Sequence, residues 1–224
     1  MQLQERHFAI LRRHMVEVIE IYAELSADEL GKPQLNPRVL EAMARVPRHE
    51  FVPEVLRPFA YNNFPLPIGF DKTISQPFIV AVMTDLLDPA PTDRVLEVGT
   101  GLGYHAAVLA QLVERVWTVE IIEELAEEAE TRLRLLGYHN IEVRVGDGAQ
   151  GWPEYAPFER ILVTAGAQRV PEALFAQLAP GGRMVLPTGV PDDQRLTVVE
   201  KDRKGRMLMR SVMPVRFGEL EVVR

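Results

Sequence analysis

The sequence predicts an α/β fold of the doubly wound type: an open, mostly parallel sheet with a C-terminal antiparallel hairpin, preceded by an N-terminal helical subdomain. Three observations carry this expectation. From residue 94 onward, strand-like and helix-like stretches alternate; the strand runs are apolar on both faces; and the first of them leads through a glycine-rich turn into a helix.

Taken in order, RVLEVG (94–99) is a buried-strand run, YHAAVLAQLV (104–113) a helix and RVWTVEI (115–121) a second strand. IEELAEEAETRLRLLG (122–137) reads as a helix stopped at Gly137, because glycine enters the left-handed region without a Cβ clash. IEVRVGD (141–147) and ERILVTAG (159–166) follow as strands, then VPEALFAQLA (170–179) as a helix stopped by Pro180, Gly181 and Gly182, and RMVLPTG (183–189) as a strand. Residues 195–217 hold two strand-like runs around a charged turn from Asp202 to Arg206, which reads as a hairpin on the sheet edge. Before residue 90 the chain reads as mostly helical, punctuated by proline-bearing loops such as YNNFPLPIGF (61–70). Residues 1–90 are therefore expected to form an extension carrying substrate contacts and residues 91–224 the ligand-binding core, in one compact domain overall.

Composition narrows the function. The chain has 224 residues, 47% of them hydrophobic, enough for one well-packed domain. Its 32 acidic and 25 basic side chains give a net charge of −7, so a nucleic-acid polyanion meets net repulsion and is not the expected partner. No apolar run reaches the roughly 18 to 20 residues that span a bilayer, and the N-terminal stretch is polar at once; a cytoplasmic protein without membrane contact is expected. With no cysteine there are no disulfides or thiolate ligands, and none of the five histidines pairs at a metal-ligand spacing, so no metal is expected.

The glycine turn is the strongest local signal. Gly99, Gly101 and Gly103 lie where the chain leaves the first strand, and the missing Cβ atoms permit a sharp turn and close approach of a ligand to the main chain. Glu120 ends the second strand at the spacing at which an acid reaches ribose hydroxyls, and Asp147 ends the third beside Gly148, where an acceptor can face an adenine amine. Together they put a nucleoside at the C-terminal ends of consecutive strands. The turn reads Gly-x-Gly-x-Gly with acidic Glu97 before it, a poor setting for a pyrophosphate. S-adenosylmethionine, which carries an amino acid and no phosphate, fits better.

Further stretches give the chain a resemblance to a known family. VLEAMARVPRHEFVP (39–53), PLPIGFDKTISQPFIVAVMTDLL (65–87), VLEVGTGLGYHAAVLAQLV (95–113), VRVGDGAQGWPEYAPFERILVTAG (143–166) and VPEALFAQLAPGGRMVLPTG (170–189) resemble the protein-L-isoaspartate O-methyltransferases. The resemblance implies a Rossmann-like methyltransferase sheet. The implied activity is S-adenosylmethionine-dependent methylation of the free α-carboxylate of L-isoaspartyl residues in damaged proteins and peptides, with another carboxylate, a small molecule or an RNA base as the alternative acceptor. It also implies Ser75 at the methyl-transfer site and Asn63, Thr73 and Ile74 beside the substrate. The cofactor set it implies is Thr73, Glu97, Gly99, Thr100, Gly101, Gly103, Glu120, Ile121, Gly146, Asp147, Gly148 and Thr164. Isoaspartyl proteins and peptides are the implied partners, and a monomer or weak homo-oligomer is expected.

The chain departs from the family's pattern at three places. Asn63 stands where an aspartate is frequent; Gly166 and Ala167 replace an Ala-Pro pair, which predicts a looser loop; and Phe217 leads directly into GELEVVR, which puts in question the contact that closes over the site. Ser75 also has a plain structural reading, as N-cap of a helix starting near Pro77.

Overall fold

The computed structural model describes residues 2–222, with side chains from Glu5 onward. The N-terminal region holds α1 (Gln2–Leu25), α2 (Ala27–Leu30) and α3 (Pro37–Arg45), then two short 3₁₀ turns and the hairpin β1 (Leu66–Gly69) and β2 (Lys72–Ile74). After these come α4 (Pro77–Leu87), β3 (Arg94–Val98), α5 (Tyr104–Ala110), β4 (Arg115–Glu120), α6 (Glu123–Leu135), β5 (Ile141–Val145) and β6 (Phe158–Val163). The chain closes with α7 (Glu172–Gln177), β7 (Leu178–Val190), β8 (Asp193–Lys201) and β9 (Met207–Val215).

The main sheet has the order β5-β4-β3-β6-β7-β8-β9. Strands β3 to β7 pair in parallel, and β8 and β9 pair antiparallel, forming the edge hairpin that the sequence predicts. From β3 the chain winds first toward β5 and later, through β6, toward β9. The C-terminal ends of β3 and β6 therefore form the switch point where open sheets of this type leave a crevice.

Helix coverage is less even than the alternating pattern suggests. Strand residues Val95, Val116, Leu162 and Val185 share one core cluster with α1, α3, α4 and α5. The opposite face, with Leu96, Trp117, Ile161 and Met184, is covered by the short α7 and by the connection from β5 to β6. That connection has no α-helix; Trp152 and Tyr155 fill the space instead, with Tyr155 tilted against Trp117 at 5.0 Å. Large aromatic area substitutes for a helix there.

Two local expectations are revised. Helix α7 stops at Gln177, and Pro180, Gly181 and Gly182 belong to strand β7, which begins at Leu178; the irregular pairing of β7 with Phe158 and Arg160 absorbs them. The stretch read as a proline-bearing loop contains β1, which pairs with β2 just beyond it in a hairpin whose two central residues, Phe70 and Asp71, have φ of 53° and 55°. Such turns normally carry Asn, Asp or Gly at the central positions, and Phe70 departs from that pattern, so the local sequence signature of the hairpin is weak.

Candidate active site

A cavity of about 610 Å³ opens at the switch point, over the ends of β3, β4 and β6. Its volume lies in the range of cofactor and small-molecule sites. One wall comes from the strand ends and the glycine turn, another from the β1–β2 hairpin and the start of α4, and the roof from residues 213–221, the end of β9 and the tail that follows it.

On the nucleoside side, Gly99 and Gly101 take φ of 93° and 54° and line the cavity. A Cβ at Gly99 would collide with the Thr164 hydroxyl, and one at Gly101 would lie 3.2 Å from the Ile68 side chain, so only glycine keeps this turn open. Glu120 holds the turn in place. Its Oε2 accepts a hydrogen bond from Gly101 N–H at 2.8 Å, and its Oε1 accepts from Ile121 N–H at 3.0 Å and Ile122 N–H at 3.1 Å. A carboxylate offers about four acceptor directions, so roughly one remains for a ligand hydroxyl on Glu120. Val98, Val119, Glu120, Ile121 and Gly148 complete this wall, which has one carboxylate and no cation. These groups fit an uncharged nucleoside and oppose a pyrophosphate.

On the other wall, Ser75 and Thr73 line the cavity. The Ser75 hydroxyl makes no hydrogen bond with any described residue, whereas its carbonyl accepts from Arg48 Nη2 at 2.7 Å. Arg48 is wholly buried; its Nε donates to Ala60 O at 2.8 Å and its guanidinium lies 4.7 Å from the Tyr104 ring centroid. Among the described residues it has no carboxylate partner, and burial lowers its pKa to about 10, partly opposed by Tyr104. Sequence reasoning missed this residue. It sits in VPRHEFVP, a stretch quoted for its family pattern without a role, and nothing local shows that its side chain reaches residue 75.

Ser75 does not cap α4. The N-cap is Gln76, whose side chain makes no capping bond. Asn63 supplies the cap from another segment: its Oδ1 accepts from Phe78 N–H at 3.0 Å, and its own carbonyl accepts from Gln76 Nε2 at 3.0 Å. Asn63 thus lies outside the cavity wall and spends its acceptor on helix geometry rather than facing a substrate. An aspartate could accept the same bond, so the departure at this position is conservative in its structural role. Ile74 pairs with Leu66 and faces a smaller adjoining cavity, not the main one.

Other residues of the expected cofactor set stand behind the wall. Glu97 is fully buried on the opposite strand face from Val98; Thr118 donates to its Oε2 at 2.5 Å, and its Oε1 has no partner among the described residues. Burial pushes its pKa up to about 8, opposed by the Thr118 bond and aided by the nearby Glu120 charge. It is therefore mostly neutral at pH 7 and does not present a carboxylate to the cavity. The Thr100 hydroxyl bonds that of Thr118 at 2.7 Å, and Gly103 gives room to Leu133, whose Cδ1 would lie 3.0 Å from a Cβ there. Gly146 and Asp147 shape the exit of β5, where Asp147 Oδ1 accepts from Ala149 N–H at 2.9 Å; Gly148 reaches the wall, and a Cβ on it would strike Val98. Thr164 also reaches the wall, its hydroxyl donating toward Gly99 O at 2.8 Å.

The roof accounts for the two remaining departures. Gly166 N–H donates to Gly218 O at 2.7 Å, and Leu220 N–H donates to Gly166 O at 2.8 Å. Gln194 clamps the same segment, its Oε1 accepting from Phe217 N–H at 2.7 Å while its Nε2 donates to Phe217 O at 3.1 Å. Any Cβ at Gly166 would collide with that amide. The expected loosening at Gly166 is thus overturned: the glycine lets the clamp form, a proline at residue 167 would lose the Ala167 N–H bond to Pro187 O, and the altered tail closes the cavity. Lys72 pairs with Glu221 of this tail.

Comparison with known proteins agrees with this architecture. The family model described as Protein-L-isoaspartate(D-aspartate) O-methyltransferase (PCMT) matches residues 27–221. Protein-L-isoaspartate O-methyltransferase 1 of Polaromonas sp. is 53% identical over 219 residues, 98% of this chain and 93% of its own. Protein-L-isoaspartate O-methyltransferase 2 of Syntrophobacter fumaroxidans is 55% identical over 214 residues, 95% of this chain and 87% of its own. A solved protein-L-isoaspartate O-methyltransferase superposes with a TM-score of 0.80 at 26% identity; the match covers 93% of this chain and 65% of that longer one. A second, from Plasmodium falciparum and in complex with S-adenosyl-L-homocysteine, gives 0.77 at 21% identity, a likeness of fold alone. With its parallel sheet, glycine turn and Ser75 wall in one crevice, and with relatives of this identity over nearly its whole length, the chain belongs to the protein-L-isoaspartate O-methyltransferase family.

Proposed function

We propose that this protein transfers the methyl group of S-adenosylmethionine to the free α-carboxylate of L-isoaspartyl residues in damaged proteins and peptides. The observation that carries the reading is the pairing of an unpartnered hydroxyl, Ser75, with the Glu120-anchored glycine turn in one cavity of about 610 Å³. Family membership supplies the reaction class. A cytoplasmic setting and isoaspartyl proteins as partners belong to the same reading, and no helix among the described residues is long and apolar enough to cross a membrane.

The chemistry asks little of the protein in proton transfer. An α-carboxylate with a pKa of about 3.5 is ionised at neutral pH and needs no general base. When bound, S-adenosylmethionine supplies an electrophilic methyl on a sulfonium centre. Attack by the carboxylate removes two opposite charges, so a strong cationic clamp on the acceptor would stabilise the ground state more than the transition state. In this reading a neutral donor on Ser75 orients the carboxylate, and Arg48 fixes the main chain that carries Ser75 without contacting the acceptor. Glu120, Gly99, Gly101 and Ile121 hold the nucleoside, while residues 213–221 exclude water. The N-terminal segment up to residue 90 serves as the acceptor side and the remainder as the cofactor side. Positioning of this kind recovers on the order of 7 to 11 kcal/mol of barrier. In the product ester the main-chain amide nitrogen that follows can displace methanol to give a succinimide, which water reopens in part as normal aspartate.

The test is transfer of labelled methyl from S-adenosylmethionine to a matched pair of short peptides, one with L-isoaspartate and one with L-aspartate at the same position. Methylation of the isoaspartyl peptide alone is expected. Methylation of neither, with the cofactor bound, would reassign the acceptor to another carboxylate, a small molecule or an RNA base.

A further inference from the structure

Helix α1 buries Met15, Ile19 and Ala23, spaced four residues apart along one face. Tyr22, three residues after Ile19, stands at the margin of that face. It is 42% exposed, yet it lines the main cavity, with its ring 5.6 Å from that of buried Phe78 on α4. One helical turn further on, Ser26 lines the same cavity. Ser26 holds the N-cap position of α2, where a serine normally spends its hydroxyl oxygen on a main-chain N–H, but it makes no capping bond. Both residues precede residue 27, where the family match begins.

Sheet order separates this corner from the nucleoside wall. Glu120 ends β4, next to the β5 edge, whereas Met213 and Pro214, which also line the cavity, belong to β9 at the opposite edge. Helix α1 packs on α4 and α2 packs on β9, while α4, which begins two residues after Ser75, packs on β6 and β7 between the two edges. The corner of α1 and α2 therefore adjoins the cavity on the side of Ser75 away from Glu120. Its lining of Tyr22, Ser26, Phe78, Ile79, Met213 and Pro214 carries no charged side chain.

In the function proposed above, on which this inference rests, the acceptor is one residue within a peptide. Each extended residue spans about 3.3 to 3.6 Å, so the neighbours of an isoaspartate held at Ser75 run on against the cavity wall. An aromatic ring left half exposed there gains from being covered by apolar surface.

We propose that the α1–α2 corner is a subsite for the acceptor peptide, in which the Tyr22 ring covers an apolar side chain next to the isoaspartyl residue and the Ser26 hydroxyl bonds the peptide main chain. Tyr22 is a specificity-determining residue in this arrangement and touches none of the reacting atoms.

The test compares kcat/KM on short isoaspartyl peptides that differ only in carrying leucine or glycine at the position before or after isoaspartate. The parent is expected to prefer leucine by about tenfold at one of these positions, the scale of one partly covered side chain. Tyr22→Ser is expected to bring that ratio within twofold of unity, and Tyr22→Phe to retain it. Changes in folded fraction or cofactor binding act on both peptides alike and cancel in the ratio, so a purely structural role for Tyr22 would leave it intact. Ser26→Ala is expected to raise KM for both peptides and leave the ratio unchanged. A crystal structure with S-adenosyl-L-homocysteine and the preferred peptide is expected to place the leucine within about 4.5 Å of the Tyr22 ring. No preference in the parent, a preference that survives Tyr22→Ser, or a bound peptide that runs elsewhere overturns the subsite and leaves the methyl-transfer reading standing. Methylation of none of the peptides, with the cofactor bound, overturns both.

Discussion

Arg48 Nη2 donates to the carbonyl oxygen of Ser75 at 2.7 Å, so a wholly buried cation sets the main chain of a residue that lines the main cavity. The two residues are 27 positions apart in sequence, and their contact ties the turn after α3 to the loop before α4. Replacing Arg48 with Met removes a buried charge that lacks a counter-ion among the described residues, which favours the variant, but strands the carbonyls of Ala60 and Ser75, each worth about 1 to 3 kcal/mol. The second effect is expected to win: Arg48→Met should lose about 2 kcal/mol in urea denaturation and lower kcat more than it weakens cofactor binding. Unchanged kcat in a folded variant would show that Ser75 is held without it.

Ser75→Ala should reduce turnover by about ten- to a hundredfold while leaving cofactor affinity within twofold, because the role proposed for the hydroxyl is to orient the acceptor. Equal losses in both, measured by calorimetry and peptide kinetics, would relocate Ser75 to the cofactor pocket.

Glu120 calls for a gentler change than removal. Alanine would strip the acceptor from three main-chain N–H groups at once and unfold the turn along with the site. Glu120→Gln keeps a carbonyl for some of them and loses the charge that a ribose hydroxyl would meet. Cofactor affinity is expected to fall at least tenfold with kcat at saturation less affected. Normal affinity would remove Glu120 from the ribose.

At the roof, Gly166→Ala places a methyl group where the Gln194 amide sits. Overpacking of this kind costs about 1 to 3 kcal/mol, and displaced Gln194 releases Phe217. The expected outcome is a lower Tm and a raised KM for peptide. Adding Gln194→Ala should restore part of the Tm but not the KM; full recovery of both would show that the clamp does not hold the roof.

Glu97 predicts a pH dependence of stability. Its pKa in the folded protein, about 8, lies above its ordinary value, so the folded state keeps a proton that the unfolded chain releases. That contribution is fully present below about pH 4.5 and drains away as pH rises through 8. Between about pH 7 and 8, where an unfolded histidine of pKa about 6.5 is mostly neutral, stability should fall by up to about 1.4 kcal/mol per pH unit on this account. Glu97→Gln should flatten that slope in urea denaturation series. An unchanged slope would assign the loss to other groups.

The sequence by itself determined the core sheet, the edge hairpin and the glycine turn, because each is written in local terms: apolar runs, breaker residues and a spacing from Gly99 to Glu120 along consecutive strands. It also carried enough of the family's pattern to point to Ser75. Only the tertiary structure decided which of these side chains face the crevice. Glu97 and Val98 are neighbours in the chain, yet strand alternation buries the first and puts the second on the cavity wall. Asn63 caps a helix that begins fourteen positions later, counting from 63 to Pro77, and Gln194 closes a clamp on Phe217 across the space left by Gly166. Arg48 reaches Ser75 across 27 positions of sequence. Contacts between distant segments depend on where folding brings the backbone, and no pattern confined to one stretch of sequence encodes that.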